Sequence, residues 1–151
     1  FTSLAIGSVV SFTIVSVSIP QLDTRSIKPL VAVLKPLLKP NDKIVAYHNY
    51  YQDLPFYLNQ RVFTVNVDGE LAFGMQHQDT SQWMLKDANF WPAWNSSQRI
   101  YMITSKEVYQ QINKQKKYRI YLLAKTPQNV LLSNYPIEKK KIKNSINDKE
   151  D

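Results

Sequence analysis

Asp53 and Glu70 are the carboxylates that could form an acid–base pair within YYQDLPFYLNQRVFTVNVDGELAFG, residues 50–74. Transfer of a group to a hydroxyl or phosphate oxygen needs a base beside the attacking atom, and two carboxylates held in one pocket can supply it. Each has a simpler role too. Asp53 precedes Leu54-Pro55 and reads as a helix N-cap, and Glu70 follows Gly69 and reads as the acid of a first helical turn. Tyr50, Tyr51, Phe56, Tyr57 and Phe73 surround the pair in sequence. They are either core packing or an aromatic surface for sugar or lipid, with about two expected to face outward. Tyr51, Asp53 and Glu70 are therefore the candidate substrate-binding residues. No residue carries a nucleophile motif: there is no GxSxG and no cysteine. His48 and His77, the two histidines, lack a metal-ligand spacing, so no metal site is expected.

The elements that must position these residues alternate. Ser26 can cap a helix whose apolar stripe is Ile27, Leu30, Val31, Leu34, Leu37 and Leu38, closed by Pro36 and Pro40. Lys43–Tyr47 reads as a buried strand, and Asp53 opens a short helix over Leu54–Leu58. Arg61–Val67 reads as the next strand. Asp79 or Thr80 would cap a helix running through Trp83, Met84 and Leu85 to Pro92. Arg99–Thr104 is a third strand and Ser105 starts another helix. Tyr118–Ala124 and Asn129–Asn134 flank Thr126-Pro127-Gln128 as an antiparallel hairpin. The expected fold class is α/β: a small three-layer sheet with alternating strands and helices and a C-terminal antiparallel hairpin, preceded by one transmembrane helix.

That membrane helix is expected over residues 1–20. Phe1–Ile19 carries no charge, and about 20 apolar residues span a bilayer. Its many Ser and Thr are tolerated in such helices, although Val, Ile and Thr would also suit a buried strand pair. Residues 21–136 then form the α/β domain and 137–151 a basic, solvated tail containing Lys139, Lys140, Lys141 and Lys143. The chain opens on Phe1 rather than Met and is expected to be a piece of a longer protein.

Composition narrows the function. With 151 residues and 44% hydrophobic residues, the chain can bury a core. Three glycines and no GxGxxG or GxxxxGK[ST] argue against a phosphate-cradling nucleotide loop. The net charge of +7 suits an anionic partner, but no nucleic-acid motif accompanies it. Lys35, Lys39, Lys43, Arg61 and Arg99 are either scattered solvated charges or a patch for lipid phosphates. Trp83, Phe90, Trp91 and Trp94 are either core or a membrane-interface cluster.

The run Tyr50-Tyr51-Gln52-Asp53-Leu54-Pro55-Phe56-Tyr57-Leu58 with Arg61, followed by Gly69-Glu70-Leu71 and Phe73-Gly74, resembles the C-terminal extracytoplasmic domain of aminoarabinose transferases. These belong to the dolichyl-phosphate-mannose protein mannosyltransferase superfamily. The resemblance is specific over residues 47–74 and extends in layout over about 4–136. It implies a bacterial inner-membrane glycosyltransferase with this domain in the periplasm. It implies a polyprenyl-phosphate sugar as donor, a lipid A-type acceptor, and reduced negative charge at the cell surface, hence polymyxin resistance. The family's catalytic acid lies in an early loop with no counterpart here, so no catalytic residue or cofactor is carried onto this chain and the fragment alone is expected to be inactive. The rival expectation is a membrane-anchored, non-catalytic module that binds sugar or anionic lipid.

Overall fold

The computed structural model describes residues 26–67 and 82–137. The membrane segment expected over 1–20, Glu70 with the rest of its motif through Gly74, the Asp79/Thr80 cap and the lysine-rich run beyond residue 137 lie outside the described residues. Among the described residues, no helix is long and apolar enough to cross a membrane.

Six strands make one sheet: β1 (Lys43–Tyr47), β2 (Phe63–Val65), β3 (Met84–Leu85), β4 (Ile100–Ser105), β5 (Tyr121–Lys125) and β6 (Asn129–Ser133), in the order β3-β2-β1-β4-β6-β5. The first four run parallel, and the β5–β6 hairpin closes the sheet antiparallel to β4. Strands buried on both faces must be apolar throughout, which is why Ile44–Tyr47 and Ile100–Thr104 are unbroken buried runs. The edge strands are short or half exposed, which limits edge-to-edge pairing.

Helices cover both faces, giving three layers. On one face lie α1 (Lys28–Leu34), continued by a 3₁₀ turn over Lys35–Leu37, and α2 (Leu54–Leu58). Leu30, Leu34, Leu54 and Leu58 pack there on Ile44, Ala46, Tyr101, Ile103 and Leu131. On the opposite face lie α3 (Asp87–Trp94) and α4 (Lys106–Gln115), where Phe90, Trp94 and Ile112 pack on Val45, Tyr47, Met102 and Leu132. Alternate residues of β1 and β4 thus feed opposite cores, as the pleat requires. Asn134 ties the layers. Its Nδ2 donates to the Trp94 and Gln98 carbonyls at 2.9 and 2.7 Å, and its Oδ1 accepts from the Ile100 amide at 2.9 Å.

Two expectations need correction. The helix expected through Trp83, Met84 and Leu85 is instead the edge strand β3 followed by α3. Thr64 and Asn66 donate their amides to the carbonyls of Trp83 and Leu85 at 2.8 and 3.1 Å, and that pairing overrides the local pattern. Asp53 stands at the N-cap position of α2 but makes no capping hydrogen bond. Its backbone is already helical (φ −78°, ψ −17°), whereas a capping side chain reaches back from an extended one. Ser105 does meet that requirement at α4, with ψ 158° and its Oγ accepting from the Val108 amide at 3.3 Å.

Candidate functional site

The connector from β1 to β2 builds the site. β1 ends at Tyr47, and His48 then takes a left-handed backbone (φ 59°) that turns the chain off the sheet. Asn66, at the matching end of β2, is also left-handed (φ 49°), and its Nδ2 lies 3.2 Å from His48 Nε2. Strand order reverses between β1 and β4, the usual position for ligand sites in open α/β sheets, and this connector leaves from the carboxyl end of β1 beside it. On the opposite face Tyr47 donates its hydroxyl to Asp87 Oδ1 at 2.7 Å. Burial, reinforced by that hydrogen bond, raises the Tyr47 pKa well above the usual tyrosine range. Among the described residues no cluster of His, Asp and Glu is arranged to hold a metal ion.

Tyr51 points inward from the connector. Its hydroxyl donates to Asn129 Oδ1 at 2.8 Å and accepts from Asn49 Nδ2 at 3.3 Å. Burial pushes its pKa up to about 12, while the Asn49 hydrogen bond opposes the shift. Tyr51 is therefore a neutral, positioned hydroxyl at physiological pH and not a base. Asp53 is exposed two residues later. Both border a hollow of about 350 Å³ between the start of α1 and α2, with Lys28, Gln52 and Tyr57. The structure thus brings Tyr51 and Asp53 together, while Glu70 lies outside the described residues. Of the connector's aromatics, Phe56 and Tyr50 face outward, 83% and 40% exposed, and Tyr51 and Tyr57 pack against the core. Phe73 lies outside the described residues.

Tyr51 is also a wall of a larger hollow, of about 490 Å³, on the same face of the sheet. α2 is only five residues long, about 7.5 Å of helix, and among the described helices none extends over the β2 end of this face. Ala46 and Thr64, paired in register on neighbouring strands, are both buried and form the floor. Gln60, Arg61, Tyr50 and Trp83 contribute the walls and rim. Among the described residues two polar atoms are buried without a hydrogen-bond partner, Thr64 Oγ1 and Gln60 Nε2. An unmade buried hydrogen bond costs about 1–3 kcal/mol, so native proteins seldom leave one unless something else satisfies it. In the sequence Arg61 stands out as one of several scattered cations and as part of the run that carries the resemblance, Trp83 only as one of an aromatic cluster, and nothing singles out Gln60 or Thr64. A threonine in a three-residue strand is ordinary, and only the register with Ala46 shows what it faces.

The other aromatic cluster is packing. Phe90 and Trp94 are buried, Trp94 Nε1 donates to the Arg119 carbonyl at 3.0 Å, and Trp91 stacks on Tyr118 with centroids 3.8 Å apart. Lys43 lies over the Phe63 ring and Arg99 over Tyr135, so these two cations cover aromatic surface instead of gathering in a patch.

The model of the aminoarabinose transferase C-terminal domain matches residues 30–134. Two solved structures share the fold. ArnT from Cupriavidus metallidurans bound to undecaprenyl phosphate aligns with a TM-score of 0.64 at 19% identity, over 75% of this chain and 20% of that one. The apo state of ArnT from the same organism aligns with a TM-score of 0.57 at 24% identity, over 72% and 19%. The chain thus spans about a fifth of the length of those proteins. No curated protein matches the sequence.

Proposed function

The chain belongs to the family of aminoarabinose transferase C-terminal domains, and from that premise we propose that it serves a polyprenyl-phosphate-dependent membrane glycosyltransferase. The parent moves a sugar, aminoarabinose, from a polyprenyl-phosphate carrier to a lipid A-type acceptor at the periplasmic face of the bacterial inner membrane. The observation that carries this reading is the family match over 30–134, which takes in all six strands. The undecaprenyl phosphate bound by the ArnT of similar fold supports the class of donor. In this reading the domain lies over machinery encoded elsewhere in the parent and supplies no catalytic group, in keeping with a Tyr51 that stays neutral and an Asp53 that is solvent-exposed. Phe56 and Tyr50, exposed together on one connector, give it an apolar contact toward the membrane interface or the parent's outer loops.

The test is genetic. The gene for the full-length parent, expressed in a bacterium deleted for its aminoarabinose transferase, restores polymyxin resistance and adds the aminoarabinose mass to lipid A. A well-expressed parent that leaves the lipid A mass unchanged overturns the assignment of sugar and acceptor. A second reading, a non-catalytic module that binds sugar or anionic lipid, is favoured by the buried, unpartnered Thr64 hydroxyl at the floor of the larger hollow. Complementation separates the two, since a binding module alone restores nothing.

A further inference from the structure

We propose that the hollow between β2 and α2 is a subsite for a pyranose that carries a phosphate. Its volume, about 490 Å³, is in the range of small-molecule sites. Its floor holds a hydroxyl, Thr64 Oγ1, on a residue only 3% exposed, and its wall holds an amide nitrogen, Gln60 Nε2. Both atoms are buried with no partner among the described residues. A hydroxyl that can donate and accept, beside an amide that donates, matches the alternating donors and acceptors of sugar hydroxyls. Tyr50 and Trp83 line the hollow, and an aromatic ring can pack on the C–H face of a pyranose. Arg61 is the one ionic group, and no carboxylate stands beside it, among the described lining residues. A guanidinium so placed selects an anion and matches the geometry of a phosphate. Ala46 keeps the floor low beside Thr64, where a larger side chain would fill the space.

The subsite deepens the functional reading above and rests on it only for the origin of the ligand. A carrier-linked sugar is a phosphodiester, and an acceptor sugar phosphate is a monoester. Both join a pyranose to a phosphate. Binding is read on this chain without any transfer. Failed binding therefore leaves the transferase assignment standing, and failed complementation leaves the subsite standing.

The experiment titrates the full chain, purified in detergent, with glucosamine 1-phosphate, its dodecyl phosphodiester (at submicellar concentration), glucosamine and inorganic phosphate, by calorimetry. At least one of the two phosphorylated sugars binds about tenfold more tightly than either half alone, and the tighter one names the source. Arg61→Gln removes the preference for the phosphorylated sugar over glucosamine. Thr64→Val weakens every sugar by about tenfold, yet raises Tm by about 4 °C, because it replaces a buried unsatisfied hydroxyl with a methyl of similar shape. That opposition of affinity and stability is the signature. No saturable binding, unchanged affinity in Thr64→Val, or a lowered Tm in that variant would overturn the proposal. A lowered Tm would mean the hydroxyl is already satisfied by structure or solvent.

Discussion

The two faces of the sheet are built from the same strands but finished differently. On the α3–α4 face, large aromatics fill the space and their polar atoms are satisfied: Trp94 Nε1 by the Arg119 carbonyl and the Tyr47 hydroxyl by Asp87. On the α1–α2 face the second helix has only five residues, and two buried polar atoms beside a hollow have no partner among the described residues. Close packing maximises stability, whereas a ligand site needs space and unmet hydrogen bonds. The difference assigns stability to one face and recognition to the other, and it can be tested by cutting equivalent atoms from each.

The largest expected effect is on the closed face. Trp94→Ala removes a fully buried indole and its hydrogen bond, and denaturant unfolding should show a loss of about 3–5 kcal/mol. Val62→Ala, at the wall of the larger hollow, should lose only about 1 kcal/mol, because the space beside it is already open. Val45→Ala cuts the same two methyl groups from the closed face, and a loss at Val62 equal to the loss at Val45 would mean that the hollow is closed in solution and the contrast between the faces would fail.

A middle-sized effect comes from the titration of three tyrosines, Tyr47, Tyr51 and Tyr101. Tyr51 has its pKa raised from 10.0 to about 12, so the folded state keeps a proton that the unfolded chain releases first. Its contribution is complete below pH 10 and is lost as pH rises toward 12, by roughly 2–3 kcal/mol in all. Tyr47 and Tyr101 are also raised by burial and steepen the same alkaline fall. Tyr51→Phe should remove about one proton from the slope of stability against pH between 10 and 12, and cost about 1 kcal/mol at neutral pH through the lost bonds to Asn129 and Asn49. An unchanged alkaline slope would mean that Tyr51 is solvated and that the wall between the two hollows is open.

The elements legible in the sequence are those whose signal is local. Lys43–Tyr47 is a buried apolar run after a Pro-Asn-Asp turn, and Leu54–Leu58 and Lys106–Gln115 follow residues suited to helix starts. Met84–Leu85 was not legible. Two residues carry no period, and Trp83-Met84-Leu85 is equally apolar in a helix or a strand until Thr64 and Asn66 pair with it. The candidate site divides in the same way. Tyr51 and Asp53 stand out as motif residues and do meet at one hollow. Thr64 and Gln60 matter because of what they fail to touch, a property of the tertiary structure that no residue type announces.

The smallest effect compares the helix starts of the two faces. Ser105 begins α4 with an extended backbone and a side chain that accepts the Val108 amide, so Ser105→Ala should destabilise the domain by about 1 kcal/mol. Asp53 begins α2 with a helical backbone and no capping bond. Asp53→Ala should therefore change stability by less than about 0.5 kcal/mol, as at an ordinary surface position. The pair is read best by thermal unfolding of both variants in one buffer. If Asp53→Ala proves as costly as Ser105→Ala, the carboxylate caps α2 in solution and its structural role is restored. If it is silent for stability yet lowers transfer by the full-length parent, Asp53 serves the ligand rather than the fold, and the open face extends from the larger hollow to the smaller one beside Lys28.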